Sequence, residues 1–367
     1  MFKIIFLFNL LLLLNSCASV KQIPVEGKLY NYSIQTTVDD LRAKYYLENY
    51  LPNKRTHKEF DLQIDFIHRK FKDFLPSREE LQEVSAMISV DFAALFFAHQ
   101  LLKQKANSQL KDTFLENLNN VKNKTANYPH KDILIMIVPG YDYVDYGAVT
   151  GADFARPREL LNIIGYPVHF IPIDPHGSVE ENAELISSTI LKNKHRKMLI
   201  AGASSAGPAI HLSLGKLVNA MDLNNMLAWL NIGGILQGVP LLEKLSFGLR
   251  GILFKAIVWF KGWRMDSFKS MTTSISQKRF KTLKVPRHIK IINYLGLSLS
   301  GDISDFARDK YLMMRADGPN DGLTLLPDII APNGQSILAP KSDHFFAEDP
   351  EIDAKTLALL LTILQQI

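Results

Sequence analysis

Residues 198–207 read Met-Leu-Ile-Ala-Gly-Ala-Ser-Ser-Ala-Gly. The first half is a short, continuously apolar run, the pattern of a strand buried on both faces of a parallel sheet. The second half uses the smallest side chains, and Ala206 to Asn219 then reads as a helix. A serine at so tight a strand-to-helix turn tolerates only small residues two places away on either side, because larger ones collide with the next strand or helix. Gly202 and Ala206 fill those places around Ser204. Shifted by one residue, the pattern centres instead on Ser205, flanked by Ala203 and Gly207. The strand ends directly at Gly202, which favours Ser204. A plain structural turn, or an anion seat at the helix N-terminus, is the competing reading of the same residues.

Similar runs lie on both sides. Ile133 to Val138 is continuously apolar and ends at Pro139-Gly140. Val168–Ile173, Leu227–Ile235 and Ile289–Leu295 repeat the pattern, with helix candidates at Ala155–Ile164 and Val179–Leu191. Alternating strands and helices predict an α/β fold, a mostly parallel sheet with helices on both faces. Downstream, Asn320-Asp321-Gly322 lies in a loop after the Ile289–Leu295 run. Lys341-Ser342-Asp343-His344-Phe345-Phe346 precedes a final helix from Pro350 onward.

Taken together, residues from about Asp132 to the C-terminus resemble the α/β-hydrolase superfamily in its lipase and esterase branch. Gly202-Ala203-Ser204-Ser205-Ala206 resembles the G-x-S-x-G elbow, with Ala206 standing where glycine is usual, and the superfamily's chain order is Ser, then Asp or Glu, then His. The resemblance implies Ser204 as nucleophile, Asp321 as the acid with Asp317 as its alternative, and His344 as the base. It also implies an oxyanion hole made by the backbone N–H of Ser205 and that of Tyr141, in Pro139-Gly140-Tyr141-Asp142, which resembles the H-G-aromatic segment with Pro for His. Asn231-Ile232-Gly233-Gly234 and Gln237-Gly238-Val239-Pro240 are similar to the strand-six ending of lipases. Residues 147–156 are expected to line the site, with Arg156 meeting either an anionic substrate group or an acidic side chain. His211, seven residues beyond Ser204 on the same helix, reads as a packing residue.

The implied reaction is ester hydrolysis through an acyl-enzyme, by a lipase, phospholipase or esterase. A thioesterase or amidase with the same triad is the alternative, as is a non-catalytic envelope protein on the same fold. No H-E-x-x-H or comparable spacing occurs and the chain has one cysteine, so no metal and no cofactor are expected. A net charge of +5 without a stripe of interleaved basic and aromatic residues argues against nucleic acid.

The N-terminus carries an address. Met1 to Leu14 has one lysine and an apolar run too short to span a bilayer comfortably, as in a secretory signal. Leu14-Asn15-Ser16-Cys17 resembles the bacterial lipobox, which implies a signal peptide over 1–16, a lipidated Cys17 and a membrane-anchored protein of the bacterial envelope. Ala18 leans the sorting towards the outer membrane. Residues 17–37 are then expected to be a tether. Residues 38–130 are expected to form a helical extension, beginning one helix at Ser77 with Glu79 and Glu80 in its first turn. The hydrolase domain follows over 131–367. Within it, about 241–285 falls where lipases insert a lid. Phe254, Ile257, Trp259, Phe260 and Trp263 there are interspersed with Lys244, Lys255, Lys261, Arg264 and Lys269. Two readings stay open: an amphipathic helix with a cationic face that opens at a membrane, or a cap whose apolar face packs on the domain.

Overall fold

The computed structural model describes residues 20–367 except 73, 247, 347 and 348. The expected signal peptide and Cys17 lie outside the described residues. Among these residues no helix is long and apolar enough to cross a membrane.

The centre is a six-stranded sheet. Its strands are β3 (Leu134–Val138), β4 (Val168–Phe170), β5 (Met198–Ala203), β6 (Met226–Ile232), β7 (Lys290–Leu297) and β8 (Gln335–Pro340). They lie in the order β4-β3-β5-β6-β7-β8, every neighbouring pair parallel. The order reverses after β4, so β3 and β5 are neighbours and the loops at their carboxyl ends meet. That is where doubly wound sheets place their sites. The apolar run at Val168 is cut to three residues, and Pro172, two places on, has no N–H to donate. β8 has no counterpart in the sequence reading. Its apolar core is only Ile337-Leu338-Ala339 between Ser336 and Pro340, too little to separate from a loop.

Both faces of the sheet are covered. Met136, Met198, Ile200 and Trp229 pack under the helices Val179–Asn193 and Ala206–Leu212. Ile135, Leu199, Leu230 and Tyr294 pack on the other face under Lys105–Lys122, Ala155–Ile163 and Ile352–Leu364. His211 is buried on the first face, its ring 5.7 Å from Trp229 and 5.3 Å from Phe280. Burial holds its pKa down at about 4, so it is a neutral packing residue.

Two boundaries differ from the sequence reading. Residues 23–38, expected to be tether, form an antiparallel hairpin of β1 (Ile23–Leu29) and β2 (Tyr32–Val38). The reason is a period-two pattern: Val25 and Leu29, and Tyr32, Ile34 and Val38, are buried while the residues between them are more open. The hairpin joins Tyr46, Phe92 and Phe96 in a core that also takes Leu295, Leu297 and Leu338 from β7 and β8. The second boundary is at residue 130. Helix Lys105–Lys122, expected to belong to a helical extension that packs on the following domain, forms one of the layers covering the sheet. Asn117 Nδ2 donates to Thr362 Oγ1 at 3.1 Å, and Ser336 N–H donates to Asn107 Oδ1 at 2.8 Å. Ser77 caps Arg78–Met87 through a reciprocal box with Glu80. That helix ends at Met87, and a new one starts after Ser89, whose Oγ accepts from Phe92 N–H at 3.1 Å.

The expected lid is four short helices: Pro240–Lys244, Gly248–Phe260, Met265–Ser270 and Thr273–Phe280. Two of its cations are held by neighbouring acids. Lys244 is paired with Asp317, and Arg264 with Asp174, Glu181 and Asp266. Helix Gly248–Phe260 instead has apolar residues on both sides. Phe254, Ile257 and Val258 are buried, while Ile252, Trp259 and Phe260 are 65%, 82% and 63% exposed.

Candidate active site

β5 ends at Ala203 and the helix Ala206–Leu212 begins two residues after Ser204. Ser204 takes a left-handed φ of 55°, a costly conformation for a side chain with a Cβ. The turn is pinned by Ser204 N–H to Ile232 O at 3.1 Å and by Gly207 N–H to Ser204 O at 3.0 Å. A Cβ on Gly202 would lie 2.5 Å from Ile210 Cδ1, and one on Gly207 would lie 2.7 Å from Gly234 Cα. The backbone contact makes Gly207 a required glycine, while at Gly202 a Cβ would have to displace the end of the Ile210 side chain and press on Ala206 Cβ at 3.0 Å; Ala206 is accommodated fully buried.

The three side chains expected from the sequence come together from loops 140 and 23 residues apart. His344 Nε2 is 2.9 Å from Ser204 Oγ. His344 Nδ1 is 2.8 Å from Asp321 Oδ2. The Asp321 and His344 side chains are 0% and 3% exposed. Asp321 Oδ1 accepts from the N–H groups of Leu323 at 3.0 Å and Thr324 at 2.8 Å, and His344 N–H donates to the Asp321 carbonyl at 2.8 Å. The carboxylate is thus fully satisfied and fixed in orientation. Phe345 meets the His344 ring edge-on with centroids 5.3 Å apart.

The alternatives fall elsewhere. Ser205 Oγ is buried with no hydrogen-bond partner among the described residues. Asp317 faces Lys244, with 2.5 Å between Oδ2 and Nζ. Arg156 is paired with Asp353 at the surface, 2.6 Å from Nη2 to Oδ2.

Pro139-Gly140-Tyr141 follows β3 and runs past the serine: a Cβ on Gly140 would lie 3.7 Å from Ser204 Cβ. Gly140 N–H donates to Ala152 O at 2.9 Å and Asp142 N–H to Pro175 O at 3.1 Å. Among the described residues neither Tyr141 N–H nor Ser205 N–H has a hydrogen-bond acceptor. The Tyr141 ring lies within 5.5 Å of Phe268 and 6.5 Å of Trp263, centroid to centroid, both in the cap. Burial pushes its phenol pKa well up. A cleft of about 270 Å³ is lined by Val149, Thr150, Phe306 and Phe345 together with Asp302 and Asp343. Val149 and Thr150 of the 147–156 segment thus border a cavity whose lining includes both chain neighbours of His344 but none of Ser204, Asp321 and His344.

One group of polar residues near the site was not legible in the sequence. Asp142, Asp145 and His176 bring ligand atoms within 4.8 Å of one another, the one such group among the described residues with the spacing to hold a cation. Asp142 and Asp145 are separated by one helical turn, but nothing in the chain announces that the turn at Asp174-Pro175-His176 returns to them.

Neither a family model nor a curated protein matches the sequence. Solved structures do match in shape. A metagenomic carboxyl esterase, MGS0156, superposes with a TM-score of 0.54 at 15% identity, over 66% of this chain and 78% of its own. The mature form of Bacillus licheniformis lipase BlEst2 gives a TM-score of 0.48 at 18% identity, over 65% of this chain and 94% of its own. EstA from Clostridium botulinum gives 0.42 at 10% identity, over 70% and 97%. With the parallel sheet and its layers, the first of these shows that the chain has the α/β-hydrolase fold.

Proposed function

We propose that this protein is a serine ester hydrolase acting on acyl esters at a bacterial envelope. The observation that carries the reading is the hydrogen-bonded series from Ser204 Oγ through His344 to Asp321, placed on a turn whose serine has a positive φ. Asp321 holds the Nδ1–H of His344, leaving Nε2 to accept the Ser204 proton as Oγ attacks the ester carbonyl. The carbonyl oxygen becomes an oxyanion, taken by the unpartnered N–H groups of Tyr141 and Ser205. His344 returns the proton to the leaving alcohol. Water, deprotonated by the same imidazole, then releases the acid and restores Ser204. Thioester and amide carbonyls suit the same groups. The ester reading is favoured by the likeness in fold to a carboxyl esterase.

The substrate class we infer is acyl chains presented at a lipid surface. The exposed Ile252, Trp259 and Phe260 of the cap support this, since apolar side chains grouped on an outer face mark a contact with lipid or protein. The lipobox-like Leu14-Asn15-Ser16-Cys17 supports the anchor. The test is hydrolysis of short and long p-nitrophenyl esters, with fluorophosphonate labelling, by wild type and Ser204→Ala. The expected loss is on the order of 10⁶ in turnover with no label on the variant. Equal activity in both removes Ser204 as nucleophile. Palmitate incorporation that disappears in Cys17→Ser checks the anchor separately.

A further inference from the structure

The segment over Ser204 is braced from its far side. Asp142 takes a left-handed φ of 54° and ψ of 33°, a conformation uncommon for a residue with a Cβ. It begins the helix Tyr143–Thr150, yet its carboxylate caps none of that helix's N–H groups. Instead it turns inward, 7% exposed, and Oδ1 meets His176 Nε2 at 3.2 Å. Asp142 N–H, Asp142 Oδ1 and the Tyr143 hydroxyl all engage one partner loop, at Pro175 O, His176 and Ile173 O respectively. Tyr141, whose N–H lacks an acceptor, immediately precedes these three contacts.

The partner loop is in turn held by the cap. His176 N–H donates to Asp174 Oδ1 at 2.9 Å, and Arg264 reaches Asp174 Oδ2 at 3.3 Å and Glu181 Oε1 at 2.7 Å. Ser267 Oγ donates to Gly177 O at 2.9 Å, and Val179 N–H to Ser270 Oγ at 3.1 Å. The His176 ring lies 5.7 Å from Tyr141 and 6.4 Å from Trp263, centroid to centroid. The loop over residues 173–179 is therefore bonded to the cap on one side and to the segment over Ser204 on the other.

We propose that Asp142 and His176 are a positioning pair that holds the Tyr141 N–H where the oxyanion forms and makes that position depend on how the cap is seated. The inference rests on Tyr141 N–H being an oxyanion donor. Neither residue touches the reacting atoms; they act through the backbone. Because the oxyanion exists only after attack, loosening the pair lowers turnover and leaves ground-state binding alone. A contact that merely stabilises the fold would move stability without that split.

The experiment uses the full-length chain in detergent micelles, with p-nitrophenyl butyrate as substrate. It follows kcat, KM, the rate of fluorophosphonate labelling and the thermal midpoint for wild type, Asp142→Ala, His176→Ala and His176→Gln. Misplacing a catalytic contact by about 1 Å costs on the order of 10²-fold, and losing one oxyanion donor outright on the order of 10²–10³. Both alanine variants are expected to lose roughly tenfold to a hundredfold in kcat with KM within about twofold. His176→Gln, whose amide nitrogen can take the place of Nε2, recovers most of it. If Asp142→Ala does not fold, His176→Ala carries the comparison, since its ring is the more exposed of the two. Folded alanine variants with wild-type kcat overturn the proposal, as does a fall in kcat matched by KM and thermal midpoint with no rescue by glutamine. A wild type that neither turns over nor labels removes the ester-hydrolase reading first, and this inference with it.

Discussion

Two of the buried carboxylate centres in this molecule, at Asp321 and at Asp91, are built on opposite principles. Asp321 is alone: one oxygen takes two backbone N–H groups, the other takes His344. Asp91 is 0% exposed and has a second carboxylate, Asp39, beside it. Asp39 N–H donates to Asp91 Oδ2 at 2.7 Å. Asp91 Oδ1 accepts from Ser300 N–H at 2.9 Å and from the Tyr311 hydroxyl at 3.2 Å. Arg315 reaches Asp39 Oδ2 at 2.7 Å, the cation these two acids share. The first centre faces a single imidazole, which in turn reaches Ser204. The second has two acids for one guanidinium and joins the β1–β2 hairpin, helix Val90–Lys103 and the loops after β7. One suits the proton transfer proposed above, and the other holds together segments distant in sequence.

The widest separation of the two comes from neutralising Asp321. Asp321→Asn keeps the shape but presents an amide to His344 Nδ1, favouring the wrong tautomer. Turnover of p-nitrophenyl butyrate is expected to fall on the order of 10⁴-fold, with the variant still folded by circular dichroism. A loss of only a few-fold would mean that Asp321 does not orient His344. Next in size is Arg315→Leu. It strands two carboxylates in the interior, and breaking such a buried arrangement costs about 3–5 kcal/mol. The urea midpoint should drop accordingly, while kcat of the remaining folded protein stays near wild type. A fall in kcat at unchanged stability would merge the two centres into one.

The same contrast explains what could be read from the sequence. The Ser204 turn and the Asn320-Asp321-Gly322 segment are local patterns, since the requirement for small residues and a tight turn is written within a few positions. Even Ala206, the departure from the usual elbow, is resolved by the neighbouring Gly207, which makes the close approach to Gly234. Of the strands found from the sequence, β3 and β5 are continuous runs of apolar and small residues, as burial on both faces demands, while β4, β6 and β7 are mostly apolar with polar interruptions. What escaped lacks such local marks. Asp91 finds Ser300, Tyr311 and Asp39 at separations of 209, 220 and 52 residues. The Asp142–His176 contact spans 34 residues across two loops with no shared motif. The β1–β2 hairpin does alternate, but Pro24 and Gly27 are poor strand residues and blur the pattern.

The third prediction concerns pH. Burial, followed by the charge of Asp39, pushes the Asp91 carboxyl up to about 7. A carboxyl whose folded pKa exceeds its unfolded value of roughly 4 binds its proton more tightly in the native state. Its contribution to stability is therefore complete below about pH 4 and is lost as pH rises through about 7. Asp91→Asn removes that titration. The thermal midpoint of wild type relative to Asp91→Asn should be higher at pH 5 than at pH 8, by a few degrees. A difference that is flat, or that grows with pH, would show that Arg315 neutralises both acids.

Tyr311→Phe is the mildest way to separate the centres. The hydroxyl donates to Asp91 Oδ1 and accepts from Arg315 Nη1 at 3.2 Å, so it relays between the acid and its cation without carrying charge. The ring is buried and phenylalanine fills the same space, so no cavity forms. Asp91 keeps its Ser300 and Asp39 donors. The net cost should be that of one hydrogen bond, about 1 kcal/mol by chemical denaturation. Ester hydrolysis should be unchanged, because no residue of this network is bonded to Ser204, His344 or Asp321. Should this small change depress kcat while stability barely moves, the buried acids would be acting on the active site through helix Asp305–Met314, and the separation of roles drawn here would fail.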